Sequence, residues 1–137
     1  MIKLSRSDYE RLLAYAKSEL PNEACGLLAG TVENNYKIIK EIYLLTNIDH
    51  SDTHFTIDVA EQLSAIKDMR AKGLSLLGNW HSHPDSPPIP SDEDKRLAYD
   101  DKASYMILSL MDRGEPVLQA FKICGDIAEK EELILYN

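Results

Sequence analysis

Cysteine is scarce in this sequence: Cys25 and Cys124 are the only two, and they form no CxxC pair. That excludes a disulfide framework and a cysteine-rich metal knuckle. No apolar run reaches the roughly 18 residues a membrane-spanning helix needs, so no such helix is expected. The opening segment MIKLSRSDYERLL has no basic stretch followed by an apolar core, so no secretory leader is expected and the protein is read as cytoplasmic. Positive charge is also in short supply. Lys and Arg number 15 against 23 Asp and Glu, a net charge of −8. Sequence-independent nucleic-acid binding rests on cation-rich surfaces, so neither nucleic acid nor membrane is an expected partner. Histidine occurs four times, as two close pairs.

What is present suits one domain, residues 1–137. The composition, 44% hydrophobic and 28% charged, is that of an ordinary globular chain. SRSDYERLLAYAKSEL reads as a first helix, capped by Ser5 or Ser7 and ended by Pro21-Asn22. EACGLLAGT suits a buried strand. VENNYKIIKEIYLLTN reads as a hairpin arm turning at Glu33-Asn34-Asn35. After the polar loop NIDHSDTHFTID, Asp58 starts a second helix, with Glu61 completing a capping box and Gly73 as the stop. LSLLGNWHSH is a strand, and Pro84, Pro87, Pro88 and Pro90 forbid regular structure beyond it. SDEDKRLAYDDK should be a short helix. ASYMILSL, EPVLQAFKIC and IAEKEELILYN finish as three strands. The order α-β-β-α-β-α-β-β-β predicts an α/β or α+β domain with a mixed, mostly antiparallel sheet.

His81 and His83 lie two apart on the fourth of these segments, so on a strand both imidazoles face the same way. Imidazole is the commonest protein metal ligand. A third donor must come back from the following loop, and Asp85, Asp92, Glu93 and Asp94 are the candidates. Ser91 and Asp94, at i and i+3, share a face of the short helix. Two histidines and one carboxylate leave a zinc ion one position for water, which is a catalytic arrangement; the bound water's pKa falls to about 7. Glu23 begins an apolar segment, where burial would raise its pKa and suit it to proton shuttling. Blander readings compete. SDED is by itself a helix cap, with Ser91 at the N-cap and Asp94 at N3. Glu23 can equally end the first helix on the surface. His50 and His54 could form another pair at i and i+4, but they lie in a loop with no matching acid pattern, and metal binding there is the lesser reading. Trp80 alternates away from His81 toward the core, and Cys25 reads as a small buried residue rather than a nucleophile.

NEACGLLAG followed by HSHPDSPPIPSDED resembles the JAMM (MPN-plus) zinc metalloproteases. Their pattern is an upstream glutamate, then H-[ST]-H-P-x6-S-x2-D. Glu23, His81, Ser82, His83, Pro84, Ser91 and Asp94 match every position. The resemblance implies one zinc ion per chain on His81, His83 and Asp94, with Glu23 as general acid and base. Ser91 would bind the water or the tetrahedral oxyanion. It also implies an MPN/JAB1-type fold, a curved sheet flanked by helices in the manner of cytidine deaminases. The implied reaction is hydrolysis of the amide bond after the diglycine C-terminus of a ubiquitin-like protein. The wording of the motif is most similar to small bacterial members acting on sulfur-carrier proteins, including those that release cysteine from a carrier adduct in cysteine biosynthesis. A homodimer is left open.

Two other readings stand beside this one. A zinc deaminase needs H-x-E and a later P-C-x-x-C; His83 occupies the acid's place and PCxxC is missing. A non-catalytic MPN-type interaction module would need neither Glu23 nor Ser91.

Overall fold

The computed structural model describes residues 1–137. The chain forms β1 (Ile2–Ser5), α1 (Arg6–Ser18), β2 (Cys25–Glu33), β3 (Tyr36–Leu45), α2 (Val59–Ala71), β4 (Ser75–His83), α3 (Asp92–Arg96), β5 (Ser104–Ser109), β6 (Val117–Cys124), β7 (Ile127–Glu131) and β8 (Leu133–Tyr136). No helix is long and apolar enough to cross a membrane.

Local chemistry sets most boundaries. Ser5 caps α1 by accepting the Asp8 N–H. Asn34 and Asn35 both have positive φ, 51° and 68°, which a two-residue hairpin turn requires and asparagine tolerates. Asp58 caps α2 by accepting the Glu61 N–H, and Gly73, at φ 72°, closes it in the left-handed conformation. The expected capping box is only half formed. Glu61 turns outward from its own helix and accepts the Thr46 N–H at 2.9 Å, which ties α2 to the loop before it. The helix expected over SDEDKRLAYDDK is one short turn, α3, because Leu97 already ends it.

All eight strands form one mixed sheet, in the order β7-β6-β5-β4-β2-β3-β1-β8. Its β1–β3, β1–β8 and β4–β5 contacts are parallel and the other four antiparallel. The β4–β5 contact is possible because residues 84–103, with the proline loop and α3, supply the long crossover a parallel pair requires. Two expectations need correction. The N-terminal residues form β1, too short to show a period. IAEKEELILYN is two strands, not one, and they lie at opposite edges of the sheet. Only Glu132 separates them, so Glu131 and Leu133 lie at most about 7 Å apart, and the sheet must curl until its edges nearly meet. The Ile2 N–H donates to Glu132 O at 2.9 Å on the β1–β8 side, Ser104 Oγ donates to Glu131 Oε1 at 2.6 Å on the other, and the Met1 ammonium, donating to Glu131 Oε2 at 3.2 Å, ties the two sides together.

Alternation along the central strands sorts side chains onto two faces. Leu28, Trp80, Met106 and Leu108 join Leu12 and Ala16 of α1 in the main core. On the other face Leu27 and Ala29 pack under Ala65 and Met69 of α2, and Tyr105 and Ile107 group with Phe121 and Ile123. Trp80 is fully buried, and its indole donates to Tyr43 O at 3.2 Å. A Cβ on Gly26 would stand 1.7 Å from Tyr43 O and 2.4 Å from the Trp80 nitrogen. Gly26→Ala should therefore cost at least about 1–3 kcal/mol, as overpacking does, read as a lowered denaturant midpoint. Wild-type stability would mean that the strands have room to part.

Candidate active site

His81 and His83 close β4 on the face away from Trp80. His81 lies opposite Cys25 of β2 and Ile107 of β5, so the pair emerges between the two apolar groups of that face, at the strand's end. Both histidines are buried. The proline loop turns back and α3 delivers Asp94 to them. The three facing atoms form a nearly equilateral triangle: His81 Nε2 to His83 Nε2 is 3.1 Å, and each lies 3.2 Å from Asp94 Oδ2.

Tetrahedral zinc with bonds of about 2.0–2.1 Å places neighbouring ligand atoms about 3.3 Å apart. The triangle is within a few tenths of an ångström of one face of that tetrahedron. The tautomer also fits. His83 Nδ1 is 2.8 Å from Pro87 O; a carbonyl only accepts, so the ring proton sits on Nδ1 and the neutral ring presents its Nε2 lone pair to the cluster. No other group of three or more His, Cys, Asp or Glu side chains is gathered as a possible metal site. Asp85, Asp92 and Glu93, the other candidate third donors, are not in it.

Asp94 is held twice over. Its Oδ2 accepts the Ser91 N–H at 2.9 Å, and its own N–H donates to Ser91 Oγ at 3.0 Å. The cap and a ligand role are thus served by one geometry. Because Ser91 Oγ acts there as acceptor, the hydroxyl proton remains free to donate. Burial alone would raise the Asp94 pKa, but the two imidazoles beside Oδ2, when protonated, and the Ser91 N–H outweigh it and hold the carboxyl well below the usual range. Burial lowers the His81 pKa. For His83 burial acts the same way, but hydrogen bonding to Asp94 and Pro87 O prevails and the pKa rises.

Glu23 does not end α1 on the surface. It sits just before β2, only 4% exposed, with Oε1 buried and unpartnered. Burial pushes its pKa to about 8, against a smaller opposing effect of His83 and with added upward pressure from Asp94, Glu93 and Asp52. Glu23, His83 and Ser91 line one cleft with Asp52 and Asp85. His81 and Asp94 line a second with Phe55, Leu97 and Tyr105.

Several side chains to which the sequence reading gave no role position these groups. Ser82 is fully buried; its Oγ accepts the Ala24 N–H at 2.8 Å and its N–H donates to Ala24 O at 3.0 Å. This fixes the strand between the two histidines against the residue after Glu23. Asn47, 5% exposed, donates through Nδ2 to Glu23 O and His54 O, and accepts through Oδ1 from Asp49 and Thr56. Phe55 stacks on His81, centroids 4.7 Å apart. Arg113 braces the proline loop by donating to Pro84 O and Leu110 O and pairing with Asp85. In the sequence only Ser82, inside the motif, carried a signal; Asn47 looked like any polar loop residue. Cys25 is buried, with burial pushing its thiol up to about 12, far from a nucleophile's range.

A curled mixed sheet with two histidines and an aspartate at one strand's end is the architecture of the JAB/MPN domains. The chain belongs to the prokaryotic homologs of the JAB domain, whose family model matches residues 5–124. It is 30% identical over 120 residues to the CysO-cysteine peptidase of Mycobacterium tuberculosis, covering 88% of this chain and 81% of that one. It is 34% identical over 99 residues to a probable TtuB-protein conjugate cleaving protease of Thermus thermophilus, covering 72% and 64%. Among solved structures, a Desulfitobacterium hafniense protein superimposes with a TM-score of 0.91 at 48% identity, over 99% of this chain and 93% of that one. A JAB1/MPN domain protein from Archaeoglobus fulgidus, at 23% identity and TM-score 0.65 over the full length of both, shares the fold.

Proposed function

We propose that residues 1–137 work as one zinc-dependent peptidase domain that hydrolyses the amide bond after the diglycine C-terminus of a ubiquitin-like or sulfur-carrier protein. The observation that carries this is the His81–His83–Asp94 triangle beside a buried carboxyl, Glu23, with an oxygen that no protein group satisfies. A structural metal site needs no such acid. Relatives named as peptidases of carrier conjugates support the substrate class.

His81, His83 and Asp94 would hold the ion, and zinc so bound would supply a water acidified to a pKa near 7. Glu23 takes that water's proton as it attacks the scissile carbonyl. The carboxyl then holds that proton until the leaving nitrogen collects it. Ser91 donates its free hydroxyl proton to the carbonyl oxygen as negative charge develops there.

The test is a carrier protein extended by one residue after Gly-Gly, incubated with and without a chelator. Mass spectrometry should show a product ending in Gly-Gly only without the chelator. A zinc-loaded protein inert toward a panel of such conjugates would sink the proposal. Ser91→Ala should lower turnover up to about 10²- to 10³-fold if the hydroxyl stabilises the oxyanion. A wild-type rate with a lowered melting temperature would leave Ser91 as a helix cap only.

A further inference from the structure

The loop between β3 and α2 presents a pair of side chains that the reaction above does not use. His54 Nδ1 lies 3.1 Å from Asp49 Oδ2, and the same oxygen accepts the Thr56 hydroxyl at 2.6 Å. A carboxylate only accepts, so the ring proton belongs on Nδ1, leaving Nε2 as the ring's uncommitted polar atom. His54 lines the cleft it shares with His81 and Asp94.

The pair is fixed in place from three directions. Asn47 holds the backbone on both sides of it, accepting the Asp49 N–H and donating to His54 O. The other bond of the same amide group goes to Glu23 O. The next residue, Phe55, stacks on His81. The His54 side chain is 45% exposed, open to a ligand, and this support holds it in one orientation. An imidazole meant to meet a ligand gains from it, because less freedom is lost on binding.

The direction of the substrate follows from the proton's path. Glu23 delivers to the leaving nitrogen, so the leaving group belongs in the cleft that Glu23 lines. The acyl segment must then run the other way, past His54 and Phe55. A diglycine tail has no side chains to recognise, only peptide N–H and C=O groups. The wall formed by Phe55, Leu97, Tyr105 and Ile107 is largely apolar; Asn79, Glu93 and His54 line the cleft with it, and of these three it is His54 that a second side chain orients.

We infer that His54, oriented by Asp49, is a substrate-contact residue on the acyl side, its Nε2 accepting a backbone N–H of the diglycine tail. This rests on the peptidase reading. The experiment compares wild type, His54→Ala, His54→Gln and Asp49→Asn on a Gly-Gly carrier conjugate, with zinc content and melting temperature measured alongside. His54→Ala should raise KM about 2- to 13-fold, the value of one hydrogen bond to substrate, with kcat and zinc little changed. Asp49→Asn should do so more weakly, and His54→Gln should recover part of the loss, since its amide oxygen accepts the same N–H. An unchanged KM in His54→Ala overturns the inference, as does a fall in kcat that tracks lost zinc. A second arm does not depend on cleavage. The His54 ring resonances of the zinc-loaded wild type are followed by NMR as a synthetic peptide with a free Gly-Gly terminus is added. Saturable shifts support the contact and their absence overturns it. If wild type cleaves no conjugate, the peptidase reading fails and this titration alone decides the role of His54.

Discussion

Glu23→Gln should keep one zinc per chain and lose about 10²- to 10⁴-fold in turnover, the range for removing a general base. Glutamine has nearly the same shape and satisfies the same space, so the fold and the three facing ligand atoms should persist. What disappears is the ability to take a proton and hand it on. The backbone of residue 23 is fixed by Ser51 O and Asn47, so the substituted side chain should start from the same place. The measurement is kcat beside metal analysis on the same preparation. Full activity in this variant would remove Glu23 from the chemistry. Lost zinc would move it from shuttle to ligand.

His81→Ala should abolish stoichiometric zinc and lower turnover by on the order of 10⁴-fold or more, since the activated water goes with the ion. Two contacts vanish together here: the Nε2 that faces His83 and Asp94, and the ring on which Phe55 stacks. Zinc should then no longer raise the melting temperature, whereas in wild type an excess of about 100 times Kd adds about 2.7 kcal/mol. Retained zinc at one per chain would place the site elsewhere and collapse the hydrolase interpretation.

The buried acid also leaves a signature in the metal-free protein. Unfolded, Glu23 ionises near 4.5; folded, its pKa is about 8. Between those values the native state holds a proton that the unfolded chain has released. Stability therefore falls as pH rises from about 4.5 to about 8 and levels off above. Glu23 and His83 interact, so the difference between the wild-type and Glu23→Gln melting curves across that window reads residue 23 together with its coupling to His83. Parallel curves would mean that the carboxyl is not desolvated as the structure has it. In the zinc-loaded protein the added positive charge favours the ionised form, so the window narrows.

How much could be read beforehand depends on distance along the chain. Ser5 and Asp58 as helix caps, Asn34-Asn35 as a turn and Gly73 as a stop were all legible, because each works through atoms a few residues away. So was the shared direction of His81 and His83, which follows from strand alternation. IAEKEELILYN was misread because its apolar and polar residues suit one strand as well as two. Nothing local says that Glu131 and Leu133 belong to opposite edges. The Glu61 box failed for a similar reason: Thr46, an outside partner, won the carboxylate. His54 was set aside for want of an acid pattern. Its acid, Asp49, was in the same loop, but only the fold of that loop brings the two together.

By itself the sequence determined which donors this protein has, their spacing, and the caps, turns and alternating faces that carry them, because these depend on short-range backbone geometry. Only the tertiary structure decided that Glu23 is dehydrated, that Asn47 joins it to the loop of His54, and that the sheet curls until its edges meet. Those outcomes depend on which distant segments exclude water from one another, and no local pattern records that.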